Sequence, residues 1–70
     1  MKLSARNQLK GIVTGIEEGA VNGIVAIDIG GGHTITSTIS MAAIRELGLT
    51  IGKTAYAVIK ATSVMVGVDD

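Results

Sequence analysis

Apolar side chains recur at strand spacing along the first half of the chain, and glycine-containing turns divide them into segments. The first segment covers residues 8–16 and the second covers residues 21–29, with a turn at 17–20 between them. The triple glycine at 30–32 can supply the positive φ angles of a hairpin. Residues 33–39 then resume the alternation with many β-branched side chains, so three consecutive strands are predicted.

The second half of the chain predicts one short helix and two further strands. Ser40 is the expected N-cap and Gly48 the expected end of a helix with apolar residues at three-residue spacing, namely Met41, Ile44 and Leu47. Residues 54–60 and 63–68 have strand composition. This order predicts an all-β, OB-like five-stranded barrel with one short helix between strands 3 and 4.

Size and composition predict a single domain, residues 1–70, that needs support from an oligomer. A chain of 70 residues buries only about 60% of its unfolded surface, so its core is marginal alone. Cysteine is absent and there is one histidine, which excludes disulfides and leaves no zinc or haem constellation within one chain. Because several strands are apolar on both faces, we expect subunit–subunit contacts to cover the outer face.

Charge and hydropathy argue against nucleic-acid and membrane partners. The formal net charge is zero and Tyr56 is the only aromatic residue, whereas nucleic-acid binding needs a positive field and stacking platforms. No run of about 20 apolar residues is present to span a membrane. The polar N-terminus lacks the apolar stretch of a signal peptide, so a cytoplasmic location is expected.

Two glycine motifs imitate phosphate-binding loops. Residues 48–54 resemble a P-loop, but three residues separate the glycines where four are required, and a strand-like segment follows. Residues 28–34 resemble the phosphate hairpin of actin-like ATPases, whose fold needs a far longer chain. We interpret the first as a loop with a surface lysine and the second as a glycine hairpin. His33 is then a surface turn residue or, alternatively, a ligand in an assembled oligomer.

Hydrogen-bond donors without matching carboxylates cluster near the two ends of the chain. Residues 4–11 combine hydroxyl, guanidinium and amide groups, and residues 60–63 add a cation, two hydroxyls and a small residue. Hydroxyl groups also line residues 34–40. Such donors suit a tetrahedral oxyanion, because arginine offers a planar fork, lysine a point charge and backbone N–H groups complete the shell. The alternative is that they are solvated surface groups.

The N-terminal octapeptide Ser4-Ala5-Arg6-Asn7-Gln8-Leu9-Lys10-Gly11 closely resembles the opening signature of the molbindins, small molybdate-binding proteins. The resemblance continues through the 30–32 glycines, residues 35–37 and 46–49, and the stretch 57–65. It implies an OB-like barrel that exchanges its N-terminal strand within a dimer, and a trimer of dimers. It also implies molybdate or tungstate binding at subunit interfaces for storage or homeostasis, without catalysis or a cofactor.

The resemblance also implies site residues. Ser4 and Arg6 would come from one subunit, and Lys60, Ala61 and Thr62 from a neighbour. Weaker candidates are Thr36, Ser37 and Ser63 and, for a second site on a three-fold axis, Val21, Asn22, Gly23, Gly32 and His33. His33 departs from the family, where a lysine or asparagine-like residue is expected, which leaves the affinity and pH response of such a second site open.

Two other functions are alternatives to oxyanion storage. A nucleic-acid-binding OB module is disfavoured by the neutral charge and the missing aromatic residues. A module that senses the oxyanion and contacts a partner protein stays open, because it would use the same site as a storage protein. An enzyme is disfavoured because the sequence offers no nucleophile beside a base.

Overall fold

The computed structural model describes residues 1–69, which form one antiparallel sheet and one short helix. The elements are β1 (Asn7–Glu17), β2 (Asn22–Gly30), β3 (His33–Ser40), α1 (Met41–Glu46) and β4 (Thr54–Ile59), followed by a 3₁₀ turn at Ala61–Ser63. The first four predicted strands and the helix are therefore confirmed, with boundaries that move by one or two residues.

The long strand β1 lies inside the sheet, whose spatial order is β3-β2-β1-β4. It pairs with β2 over its second half, where Ile12 lies opposite Asp28, and with β4 over its first half, where Asn7 lies opposite Ile59. A bulge between Val13 and Gly15 bends the strand at the changeover. Both neighbours of β1 belong to the same chain, so exchange of this strand between subunits stays a prediction.

The concave face of the sheet and the helix enclose a small apolar core. Its buried members are Val13, Val25, Ile27, Met41, Ile44 and Ala57. The three residues of β2 that point inward, Gly23, Val25 and Ile27, lie on the face that strict alternation in the sequence predicts. No charged or polar residue among residues 1–69 is buried, so apolar contacts alone hold this interior together.

The helix begins and ends at the residues that the sequence indicates. The Ser40 hydroxyl accepts a hydrogen bond of 3.0 Å from the N–H of Ala43, as an N-cap does. Gly48 has a φ of 61°, and its N–H donates to the carbonyl of Arg45 while the N–H of Leu49 donates to that of Ile44. This is the Schellman pattern, which only a residue tolerant of positive φ completes readily.

The predicted fifth strand over residues 63–68 is wrong for the single chain, whose described part has a four-stranded sheet. Ser63 ends the 3₁₀ turn, and the residues after it pair with no strand. Their side chains are open to solvent, with Val66 91% and Val68 87% exposed. Apolar alternation does predict a strand here, but a strand also needs a neighbour to accept its hydrogen bonds, and the chain folds none against this segment.

The outer face of the sheet carries apolar side chains that residues 1–69 leave partly exposed. Ile12, Ile24, Tyr56 and Val58 are each 40–45% exposed. Each stands on the face opposite the core, as the cross-strand register shows. This agrees with the sequence-based expectation that both faces of the strands are apolar.

Gly23 is expected to be intolerant of any side chain, because α1 lies directly over it. A Cβ at this position would come within 2.6 Å of Ile44 Cδ1 and 2.8 Å of Met41 Sδ. We predict that Gly23→Ala lowers the free energy of unfolding by about 1–3 kcal/mol through overpacking, measured by urea denaturation. Gly15→Ala is the matched control, since its Cβ would meet Ala26 Cβ at an ordinary 3.5 Å. Equal stability losses in both variants would contradict this packing account.

Candidate oxyanion-binding site

The ladder between β1 and β4 brings the two ends of the predicted site together. Its last pair is Asn7 opposite Ile59, so Arg6 and Lys60 are the next residues on the two adjacent strands. The Asn7 side chain reinforces this junction, because its Nδ2 donates to the carbonyl of Ile59 at 3.3 Å. Residues 54 positions apart in sequence thus become neighbours at one end of the sheet, and both side chains are exposed.

The turn after Lys60 adds backbone donors to the same end. The N–H of Ser63 donates to the carbonyl of Lys60 at 2.9 Å, and the N–H of Val64 donates to that of Ala61 at 3.3 Å. The N–H groups of Ala61 and Thr62 precede these donors in the turn, where a helical turn leaves N–H groups without an internal partner. All three residues of the turn are exposed: Thr62 and Ser63 present hydroxyl groups, and Ala61 has the smallest side chain.

Two amide side chains of the octapeptide donate to backbone carbonyls. Asn7 ties β1 to β4, and Gln8 donates from Nε2 to the carbonyl of Ala5 at 3.2 Å, which shapes the backbone between Ser4 and Arg6. Both act on the backbone, so they position the donors. Their place in a polar octapeptide was the available signal, but their partners became visible only in the structure.

The cationic side chains differ in whether their N–H groups already donate hydrogen bonds within the chain. Lys53 donates from Nζ to the carbonyls of Leu47 and Gly48, at 2.8 and 3.2 Å. It therefore caps the C-terminal end of α1, which explains the false P-loop at 48–54. Among residues 1–69, the side-chain hydrogen bonds include none from Arg6 or Lys60.

The weaker candidates fall at different places on the sheet. The hairpin with Gly32 and His33 lies at the same end as Arg6, because β2 runs antiparallel to β1 and ends there. Gly31 and Gly32 both have positive φ, as a tight hairpin requires, and His33 is exposed beside them. Thr36 and Ser37 lie in the middle of β3 on opposite faces.

Residues Val21, Asn22 and Gly23 lie at the other end of the sheet, at the start of β2. Val21 is 73% exposed, whereas Gly23 is buried beneath α1. A surface hollow at this end is lined by the carboxylate-bearing Glu17 and Glu18. The structure therefore separates these three residues from the donors around Arg6 by the length of β1.

Among residues 1–68, each carboxylate either lies away from the donors or accepts a hydrogen bond from the backbone. Glu17 and Glu18 lie at the far end of the sheet, and Glu46 is on the helix. Asp28 lies near the hairpin, but its Oδ1 accepts a hydrogen bond of 2.8 Å from the N–H of Gly30. The end that carries Arg6 and Lys60 consequently offers donors and positive charge, which is what a tetrahedral dianion requires.

Comparison with known proteins assigns the family. Residues 3–66 match the TOBE domain family. A probable molybdenum-pterin-binding protein of Haemophilus influenzae is 68% identical over 69 residues, which cover 99% of this chain and 100% of the relative. Molybdenum-pterin-binding protein 1 of Clostridium pasteurianum is 48% identical over 66 residues, covering 94% of this chain and 97% of the relative. The chain is a molbindin of the TOBE domain family. The resemblance of its octapeptide is thereby confirmed.

Solved molbindin structures confirm the fold class. The apo form of MopII from Clostridium pasteurianum superposes with a TM-score of 0.89 at 46% identity, covering 96% of this chain and 100% of its own. The cytoplasmic molybdate-binding protein ModG, crystallised with molybdate bound, gives 0.93 at 51% identity and covers 99% of this chain, which spans 49% of the ModG chain. The family binds ligands and is not catalytic, as the sequence predicts.

Residues 1–69 of the molbindin chain contain neither a membrane-spanning helix nor a metal-binding cluster of side chains. Its helix is too short to cross a membrane. Histidine and carboxylate side chains in this range do not gather in groups of three that could hold a metal ion.

Lys53 is predicted to stabilise the helix end and to take no part in anion binding. Replacing Lys53 with Met removes both hydrogen bonds to the carbonyls of residues 47 and 48. We expect the free energy of unfolding to fall by about 0.3–1 kcal/mol in urea denaturation, while molybdate affinity measured by calorimetry is unchanged. A loss of affinity without a loss of stability would instead assign this lysine to a phosphate-loop role.

Proposed function

We propose that this molbindin binds molybdate, and tungstate by the same chemistry, as an oxyanion store in the cytoplasm. The observation that carries the proposal is that the β1/β4 ladder places both donor groups, around Arg6 and around Lys60, at one end of the sheet, where two copies of the chain can meet. The relatives named as molybdenum-pterin-binding proteins and the molybdate-bound ModG structure support this choice of ligand.

Charge and donor number suit a tetrahedral dianion. One guanidinium and one ammonium group would nearly compensate two negative charges, and the neutral donors are the Ser4 and Thr62 hydroxyls and the N–H groups of Ala61 and Thr62. Molybdate has no proton to donate at neutral pH, so a shell of donors can satisfy every oxygen. Thr36, Ser37 and Ser63 remain secondary candidates for this shell.

The site is proposed to close between subunits. In one chain Ser4, Arg6, Lys60 and Thr62 are all exposed, so water would compete for every oxygen of the anion. A second copy placed over this end would exclude that water and strengthen each charge-assisted hydrogen bond. We therefore propose a homo-oligomer, assembled as a trimer of dimers, with Ser4 and Arg6 from one subunit and Lys60, Ala61 and Thr62 from another.

A second kind of site is proposed for the three-fold axis of this oligomer. The hairpin residues Gly32 and His33 lie at the same end as Arg6, which favours them over Val21, Asn22 and Gly23. The carboxylates of Glu17 and Glu18 share a hollow with Asn22 and Gly23 and would repel an anion there.

Removing either cation is predicted to abolish tight molybdate binding while the fold survives. For Arg6→Ala and for Lys60→Ala we expect a loss of affinity of at least tenfold, in line with the 1.5–3 kcal/mol of a hydrogen bond to a charged group. Isothermal titration calorimetry measures the affinity, and circular dichroism checks the sheet.

Arg45→Ala is the matched control for that experiment, because Arg45 is an exposed cation on α1 at the opposite end of the sheet. Its affinity for molybdate should equal that of the unchanged chain. If the Arg6→Ala/Lys60→Ala double variant binds as tightly as the control, the site assignment is wrong.

Anion selectivity is the second prediction of this proposal. Hydrogen phosphate carries a proton that needs an acceptor, and none of the proposed site residues has a carboxylate to receive it. We expect molybdate at a concentration of about 100 times its Kd to stabilise the fold by about 2.7 kcal/mol, seen as a rise in Tm. Phosphate at equal concentration should give little shift, and an equal rise with phosphate would refute the donor-only shell.

A further inference from the structure

One side-chain hydrogen bond of the octapeptide reaches a distant part of the chain. Asn7 Nδ2 donates to the carbonyl of Ile59 at 3.3 Å, across 52 positions in sequence. Every other side-chain hydrogen bond among residues 1–69 is exposed and joins residues at most six positions apart. Asn7 and Ile59 are both half-buried, so water competes less for their bond than for the exposed ones.

The carbonyl that Asn7 contacts belongs to the peptide group immediately before Lys60. The peptide group after Lys60 is held as well, because its carbonyl accepts a hydrogen bond of 2.9 Å from the N–H of Ser63. The two peptide planes that flank a residue are related only by its φ and ψ, which for Lys60 are −62° and 138°. Hydrogen bonds on both sides therefore fix the direction in which the chain leaves β4.

The residues that follow this fixed point carry one half of the proposed oxyanion shell. We call residues 60–63 the Lys60 turn. The β1/β4 ladder ends at the pair of Asn7 and Ile59, so no further strand pairing holds the Lys60 turn against β1. The Asn7 side chain is the last link before it. Donors that are already oriented lose less conformational freedom when an anion binds, which strengthens binding.

Neighbouring amides of the octapeptide act on different donors. Gln8 donates to the carbonyl of Ala5 at 3.2 Å, so its bond stays within the segment that carries Ser4 and Arg6. Asn7 follows Arg6 directly in sequence, yet its side chain bonds to the peptide group before Lys60. The hydrogen-bond partner of each amide, and not its place in sequence, decides which donors it arranges.

We propose that Asn7 is a positioning residue for the Lys60 turn of its own chain. The inference rests on the proposed function, in which Arg6 of one subunit and the Lys60 turn of another bind the same anion. Asn7 then acts on the anion that a neighbouring copy holds with its Arg6. Adjacent residues of one strand, Arg6 and Asn7, would consequently serve two different anions.

The variant Asn7→Leu removes the side-chain donor and keeps a side chain of similar size, and Asn7→Ala is a second variant that also lacks the donor. We expect molybdate affinity to fall about two- to tenfold, which corresponds to the loss of one neutral hydrogen bond. Ser40→Ala is the matched control, because it removes the one side-chain hydrogen bond that caps α1, at the other end of the sheet. Its affinity in calorimetry should be unchanged.

Mixed oligomers test whether Asn7 acts through the Lys60 turn of its own chain. Arg6→Ala chains and Lys60→Ala chains are unfolded, combined and refolded together as the parent mixture. Its only complete sites take Lys60 from the Arg6→Ala chain and Arg6 from the Lys60→Ala chain. Asn7→Leu is then added to the Arg6→Ala chain in one mixture and to the Lys60→Ala chain in another, so that both mixtures contain the same substitutions.

The expected result is a two- to tenfold weaker affinity at the complete sites, as above, only when Asn7→Leu is on the Arg6→Ala chain. A merely structural role would weaken both mixtures alike. Equal affinities in the two mixtures would overturn the role of Asn7, while tight binding by the parent mixture would still support the proposed function. If the parent mixture regains no tight binding, the shared site is refuted, and the action of Asn7 on a neighbour's anion is refuted with it.

Discussion

The candidate site depends on one backbone ladder, the antiparallel pairing of β1 with β4. Six residue pairs align the start of the chain with its last strand, and the ladder stops one residue short of Arg6 and Lys60. The ladder therefore places the donors around Arg6 and those around Lys60 at the same end of the sheet. In the proposed oligomer this end would meet the corresponding end of another copy, so donors from both chains could surround one anion.

This very small protein keeps its apolar side chains and its hydrogen-bond donors in separate regions. The interior of residues 1–69 is entirely apolar, and the hydrogen-bond donors are kept at one exposed end of the sheet. Lys53 lies in a segment that resembles a phosphate-binding loop, but its Nζ donates hydrogen bonds to carbonyls at the end of the helix. A cation is available to a ligand only when the fold has not already used it.

The single chain leaves several apolar surfaces exposed, and the proposed oligomer would bury them. An apolar groove between β3 and β4, whose lining includes Val25, Ile39 and Ala57, the exposed valines after Ser63 and the apolar outer face are all surfaces that a single chain leaves in contact with water. Burial of these surfaces against another copy, as proposed, would stabilise a chain of this size, which has a small core of its own. Assembly and oxyanion binding would then favour one another, because each orders residues that the other uses.

Local patterns in the sequence determined the strands β1 to β4, the helix with its Ser40 cap and Gly48 end, and the glycine hairpin, since each depends on residues close together in the chain. The octapeptide beginning at Ser4 also identified the family. Only the tertiary structure decided that Arg6 and Lys60 lie at the same end of the sheet and that Gly23 lies beneath the helix, because both arrangements join residues distant in sequence. It also decided that residues 63–68 stay unpaired: alternating valines indicate a strand, but hydrogen bonding requires a partner, and the sequence of one chain does not say where that partner is.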